Sequence, residues 1–106
     1  MKSNLKKILL IFTFIINIQT FVYSDDEFIF NVTEIEILKN GNQINGYKGG
    51  VVTTGKEEVI KAENFFYNKI NNILEAKGGV IYTNLRDDTK IISDEITYFK
   101  NEEKII

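Results

Sequence analysis

A pattern written three times at intervals of about 30 residues constrains this chain more than any other feature, because a period of that size means a stack of small units. The copies are Phe30-Asn31-Val32-Thr33-Glu34-Ile35-Glu36-Ile37, Ile60-Lys61-Ala62-Glu63-Asn64-Phe65-Phe66-Tyr67 and Ile91-Ile92-Ser93-Asp94-Glu95-Ile96-Thr97-Tyr98. A second string runs between them, as Tyr47-Lys48-Gly49-Gly50-Val51-Val52 and as Ala76-Lys77-Gly78-Gly79-Val80-Ile81. Each unit is too small to bury its apolar face alone and needs its neighbours. Such a stack presents a long surface rather than a point-like pocket.

The units read as strands. Apolar and polar residues alternate, and β-branched and aromatic types dominate, as in Ile35, Ile37, Val51, Val59, Phe65, Tyr67, Val80, Tyr82, Ile96 and Tyr98. A helix over residues 61–75 is the weaker reading, since Asn64, Asn68, Asn71 and Asn72 favour turns. Within each copy the apolar positions fall at i, i+2, i+5 and i+7: Phe30/Val32/Ile35/Ile37, Ile60/Ala62/Phe65/Tyr67, and Ile91/Ser93/Ile96/Tyr98 with Ser93 as the exception. Side chains alternate faces along a strand, so a three-residue step would turn the second pair outward. One extra residue between the pairs keeps all four inward, which predicts a bulge or corner near Glu34, Glu63–Asn64 and Asp94–Glu95. Asn40-Gly41-Asn42, residues 68–72, Gly55 and Arg86-Asp87-Asp88 carry the turns. The Gly-Gly pairs predict a bend or a close backbone approach. Together these readings predict an all-β fold of antiparallel hairpins stacked as two facing sheets.

The first 24 residues have the layout of a secretory signal peptide. Lys2, Lys6 and Lys7 precede an apolar run from Ile8 to Ile18, Ser24 is a small residue at the cleavage point, and Asp25-Asp26-Glu27 follows at once. An uncleaved anchor is the alternative, but a bilayer span takes about 20 apolar residues. The stretch from Ile8 to Tyr23 has 16, with Asn17, Gln19 and Thr20 among them. Cleavage between Ser24 and Asp25 leaves a single domain, 25–106, in an exported, periplasmic setting. That domain keeps 10 of the 13 Lys/Arg and all 15 Asp/Glu, a net charge of about −5. Nucleic acid, which needs a basic stripe, is not an expected partner. The chain has no Cys, so no disulfide supports a modest core, which leans on neighbouring units or a partner. Asn101-Glu102-Glu103 occupies a turn position and Ile105-Ile106 begins a returning strand, which predicts that strands continue beyond it.

With neither His nor Cys, the residue types for Ser-His, Cys-His and imidazole-zinc sites are missing, and no enzyme activity, catalytic residue, cofactor or metal site is expected. The acidic pairs Asp87-Asp88 and Asp94-Glu95 sit next to one another on the chain, so on a strand they point to opposite faces. They read as solvated charge.

The strings Ile60-Lys61-Ala62-Glu63-Asn64-Phe65-Phe66-Tyr67 and Asn72-Ile73-Leu74-Glu75-Ala76-Lys77-Gly78-Gly79-Val80, with the looser Ser93-Asp94-Glu95-Ile96-Thr97-Tyr98, resemble the organic-solvent-tolerance (OstA-like) β-jellyroll family over residues 28–106. The chain departs from that pattern at Gly79, where the family often has Asn, and at Tyr47, where a small residue is expected. The resemblance implies an open-ended β-jellyroll of about 30-residue hairpin repeats that takes part in lipopolysaccharide transport and assembly at the outer membrane. Its interior would hold the acyl chains, and its edge strands would pair with sister jellyroll domains. The family includes the periplasmic bridge protein of that pathway and the amino-terminal domain of its outer-membrane assembly protein; the second layout fits better. The lipid-facing candidates are then Ile60, Ala62, Phe65, Tyr67, Leu74, Ala76, Val80, Tyr82, Ile91, Ile96 and Tyr98. An ordinary dry core needs the same residues, in a structural adaptor that binds only protein. An inner-membrane-anchored jellyroll is a third reading.

Overall fold

The computed structural model describes residues 21–24, 28–101 and 104–106. The strands are β1 (Phe21–Ser24), β2 (Phe28–Leu38), β3 (Gln43–Thr54), β4 (Glu58–Ala62), β5 (Asn64–Asn68), β6 (Ile73–Asn84), β7 (Thr89–Phe99) and β8 (Lys104–Ile105). All pair antiparallel in one eight-stranded sheet, in the order β1-β2-β3-β4-β6-β7-β8. β5 shares with β4 the slot between β3 and β6. The all-β, antiparallel expectation holds, and the residues with a weaker helical reading lie in strands and a turn.

A seam crosses the sheet at right angles to the strands and divides it into two leaves. Residues 28–32, 50–54, 58–62, 80–84 and 89–93 form the first leaf, and residues 34–38, 43–47, 64–68, 73–77 and 95–99 the second. The seam passes where the three-residue steps predict it, but the additional residue is on the other strand. On β2 only Thr33 separates the paired Val32 and Glu34, while β3 spends Lys48 and Gly49 over the same gap. On β7 only Asp94 separates Ser93 and Glu95, while β6 spends Gly78 and Gly79. Between them Glu63 interrupts β4 and β5, its backbone N–H donating to Gly78 O at 3.1 Å and its carbonyl accepting from Gly49 N at 2.8 Å. The bulges lie on β3 and β6 because they use left-handed backbone: φ is 63° and 90° at Lys48 and Gly49, and 87° and 55° at Gly78 and Gly79. Glycine enters that region without the Cβ penalty, and these strands carry the glycines.

This geometry also corrects the register of the first Gly-Gly string. Gly46 and Ala76 flank Phe65 as its two cross-strand partners, so Gly46, not Tyr47, takes the small-residue place. A Cβ on Gly46 would stand 2.9 Å from Val32 Cγ1. Tyr47, one residue on, points to the outer face.

The turns use the residues expected of them. Asn40 and Gly41 are left-handed in a 3₁₀ turn over Lys39–Gly41. Asn68 Oδ1 accepts from the backbone N–H of Ile70 and Asn71, at 3.0 and 3.1 Å. Asn84 Oδ1 does the same for Arg86 and Asp87, at 2.9 and 3.4 Å.

The inner faces of the leaves pack against each other. The buried cluster contains Phe28, Phe30, Val32, Val52, Ile60, Ala62, Val80 and Tyr82 from the first leaf, and Ile44, Phe65, Tyr67, Leu74, Ala76, Ile96 and Tyr98 from the second. On the side away from the seam the leaf tips meet. Phe28 contacts Tyr67 and Tyr98 edge-on, with ring centroids 5.0 and 5.8 Å apart, and Lys100 Nζ stands 5.6 Å from its centroid. Such edge-to-face pairs contribute roughly 0.5–1.5 kcal/mol beyond their burial.

Residues 1–20 and Asp25, on which most of the signal segment falls, lie outside the described residues. Phe21–Ser24 forms β1 and pairs with residues 29–32. Cleavage after Ser24 would remove this strand and uncover that edge of β2. Among the described residues no helix is long and apolar enough to cross a membrane.

Candidate functional site

Ten of the eleven candidates, all but Ile91, belong to the buried cluster between the leaves. β4 supplies Ile60 and Ala62, β5 Phe65 and Tyr67, β6 Leu74, Ala76, Val80 and Tyr82, and β7 Ile96 and Tyr98. Cross-strand pairing aligns them in rows: Ile44, Tyr67, Leu74 and Tyr98 in the second leaf, and Val52, Ile60, Tyr82 and Ile91 in the first. Ile91 ends its row and is 37% exposed. It points inward but lies on β7, where residues 89–95 have β6 as their strand partner and no described strand on the other side. Ile37, at the far margin on β2, is 50% exposed for the same reason. Alternation along a strand reports which face a side chain takes, not whether anything covers that face.

The same rows contain residues absent from the candidate set. Phe28, Phe30, Val32, Ile44 and Val52 are all fully buried. Phe30 and Val32 stand at inward positions of the first copy, and Phe28 continues their alternation, so the signal was present in the sequence.

At the leaf tips the lining becomes polar. The outermost inward row of the first leaf is Phe28, Thr54, Glu58 and Asn84. Glu58 is 7% exposed, and its carboxylate accepts three hydrogen bonds. Thr54 Oγ1 donates to Oε1 at 2.8 Å, Tyr98 Oη to Oε1 at 2.9 Å, and Tyr82 Oη to Oε2 at 2.5 Å. Three donors satisfy a charge whose burial would otherwise cost several kcal/mol. Burial, together with the bond to Glu58 and its charge, pushes the Tyr82 hydroxyl up to about 12. Lys56, Asn84, Arg86 and Ile105 join Glu58 and the two tyrosines around a small recess of about 140 Å³. Sequence reasoning missed this cluster, although Glu58 has the same parity as the inward Ile60 and Ala62.

The outer face carries a broad concavity of about 690 Å³ where the seam bends the sheet, lined by Glu34, Tyr47, Lys48, Gly49, Glu63 and Asn64. Lys48 pairs with Glu34 at 3.1 Å in the open, a contact of small energetic weight. Asp87 and Asp88 are exposed in the β6–β7 turn, and Asp94 and Glu95 are exposed at the seam. The Asp87 carboxyl is held below its ordinary value by hydrogen bonds from Thr89. Among the described residues no group of three or more acidic side chains gathers where it could hold a metal ion.

Comparison with family models, curated proteins and solved structures found no match. The side chains of the site define its chemistry. That chemistry is an apolar interior between two leaves, continuous from row to row and rimmed at the tips by hydroxyls and one carboxylate.

Proposed function

We propose that this chain is a non-enzymatic lipid-handling module, an exported β-jellyroll of hairpin repeats that holds the acyl chains of lipopolysaccharide on their way to the outer membrane. The observation that carries this reading is the unbroken apolar strip between the leaves, from Ile60 and Phe65 through Leu74 and Val80 to Ile96. An acyl chain needs such a strip, and each enclosed side chain contributes roughly 1.5–3 kcal/mol against lipid as it does against protein. The motif resemblance selects lipopolysaccharide among lipids. Edge pairing with sister domains fits the same picture. Residues 34–38 of β2 and 89–95 of β7 each have a described strand on one side only, and backbone edges of that kind accept an added strand.

The test is photo-crosslinking in the exported protein. A photoreactive residue at Phe65 or Leu74 is expected to capture lipopolysaccharide, while one at the outward Lys61 or Glu75 is not. Capture from the outward positions alone rules the trough out as the lipid site.

A second reading, a structural adaptor that binds only protein through its edges, is favoured by one observation. The interior is filled by the chain's own side chains, with Phe28 and Phe30 fully buried between the leaves. Native mass spectrometry separates the two, since oligomers without co-purifying lipid support the adaptor.

A further inference from the structure

We infer that Glu58 and Tyr98 form a latch that holds the leaf tips together and sets how readily the interior opens. The inference rests on the reading of the interior as a lipid site and adds the device that controls access to it.

The three hydrogen bonds to Glu58 are not equivalent in topology. Thr54 and Tyr82 belong to the same leaf as Glu58, on the adjacent strands β3 and β6. They hold the carboxylate in place whatever the other leaf does. Tyr98 belongs to the second leaf, and its hydroxyl reaches across the interior to Oε1 at 2.9 Å. The cross-leaf bond is therefore made by a carboxylate already fixed by its own leaf. Around it stand other contacts between the tips, Phe28 on Tyr67 and Tyr98, and Lys100 over Phe28.

The opposite side of the molecule is built to stay joined. There the leaves are continuous through β2, β3, β6 and β7, and the Glu63 hydrogen bonds to Gly49 and Gly78 run along the seam and tie these strands together. The left-handed pairs Lys48–Gly49 and Gly78–Gly79 lie along that line. Separation of the leaves pivots at the seam and breaks contacts at the tips. Entry of an acyl chain requires this motion, because Phe28 and Phe30 occupy the interior and must give way. A hydrogen bond to a charged, largely buried group is strong while intact, and once broken it leaves a carboxylate and a hydroxyl that water readily solvates. Such a bond favours two arrangements, shut and open, over a gradual loosening.

The two tyrosines supply a matched test in the full chain. Tyr98→Phe deletes the bond between leaves, and Tyr82→Phe deletes a bond to the same carboxylate within one leaf. Backbone hydrogen exchange reads the latch, and saturable uptake of a fluorescent fatty acid reads the lipid function. With Tyr98→Phe, exchange at residues 28–32 and 95–99 is expected to rise about tenfold, the factor that corresponds to losing one charged hydrogen bond. Probe uptake is expected to speed up by a similar factor. With Tyr82→Phe exchange at the same residues is expected to stay within about twofold of the parent, although the thermal midpoint falls as far. Equal acceleration by the two variants, or none by either, overturns the latch. Faster exchange in Tyr98→Phe with no uptake by any form leaves the latch standing and removes the lipid reading.

Discussion

Lys48 and Gly78 occupy matching places in two bulges, each the first of a left-handed pair, at φ of 63° and 87°. A residue with a Cβ pays a penalty there of about 1 kcal/mol that glycine avoids. Lys48→Gly is accordingly expected to raise stability by up to about 1 kcal/mol, less the small contribution of the exposed pair with Glu34. Chemical denaturation measures it as a higher midpoint at unchanged slope.

The converse change separates backbone strain from crowding. Gly78 and Gly79 are both left-handed, yet a Cβ on Gly78 would lie 2.9 Å from Glu63 Cβ, whereas one on Gly79 meets nothing within 4 Å. Gly79→Ala is expected to cost about 1 kcal/mol and Gly78→Ala roughly 2 kcal/mol or more. Gly50 has a different constraint, because a Cβ there runs into the backbone of Asn31 and Val32. Gly50→Ala should therefore disrupt the β2–β3 register, which cross-strand amide contacts in NMR spectra report.

Coverage rather than alternation decides the weight of an inward isoleucine. Ile96 is 2% exposed and Ile91 37%. Replacement of Ile96 by alanine is expected to cost roughly 2–5 kcal/mol, as for other enclosed large-to-small changes. Ile91→Ala should cost about 1 kcal/mol or less, in line with partial exposure. Parallel denaturation curves check the contrast. If the Ile91 margin receives a sister strand, its cost rises in the assembled form.

Alkaline pH should find Tyr82. Its hydroxyl ionises at about 12, against 10.0 for an unperturbed tyrosine, so the folded form keeps its proton longer than the unfolded chain does. The resulting stabilisation is fully present below pH 10, and it is lost as pH rises from about 10 to about 12. Titration followed by tyrosinate absorbance is expected to show a late step whose amplitude falls by one tyrosine in Tyr82→Phe. A profile unchanged by that substitution assigns the late step elsewhere.

Much of the fold was legible from residue order. Strand positions followed from alternation, turn positions from Asn and Gly, and the seam from three-residue steps at Glu34, Glu63 and Asp94. Most of the interior was legible too, with ten of the eleven candidates enclosed. The exception, Ile91, depends on the open sheet margin where it lies, and the role of Glu58 depends on the Tyr98 hydroxyl that reaches it from the other leaf, whereas Phe28 carried its signal in the alternation it continues.

Local chemistry therefore determined which segments are extended, which faces are apolar and where each strand must bend, because period and turn preference act between near neighbours in the chain. Tertiary structure alone decided that the added bulge residues lie on β3 and β6, that Gly46 rather than Tyr47 meets Phe65, and that a carboxylate from β4 receives a hydroxyl from β7. Those outcomes depend on register and on the contact of one leaf with the other, which bring together residues as far apart in the chain as Glu58 and Tyr98.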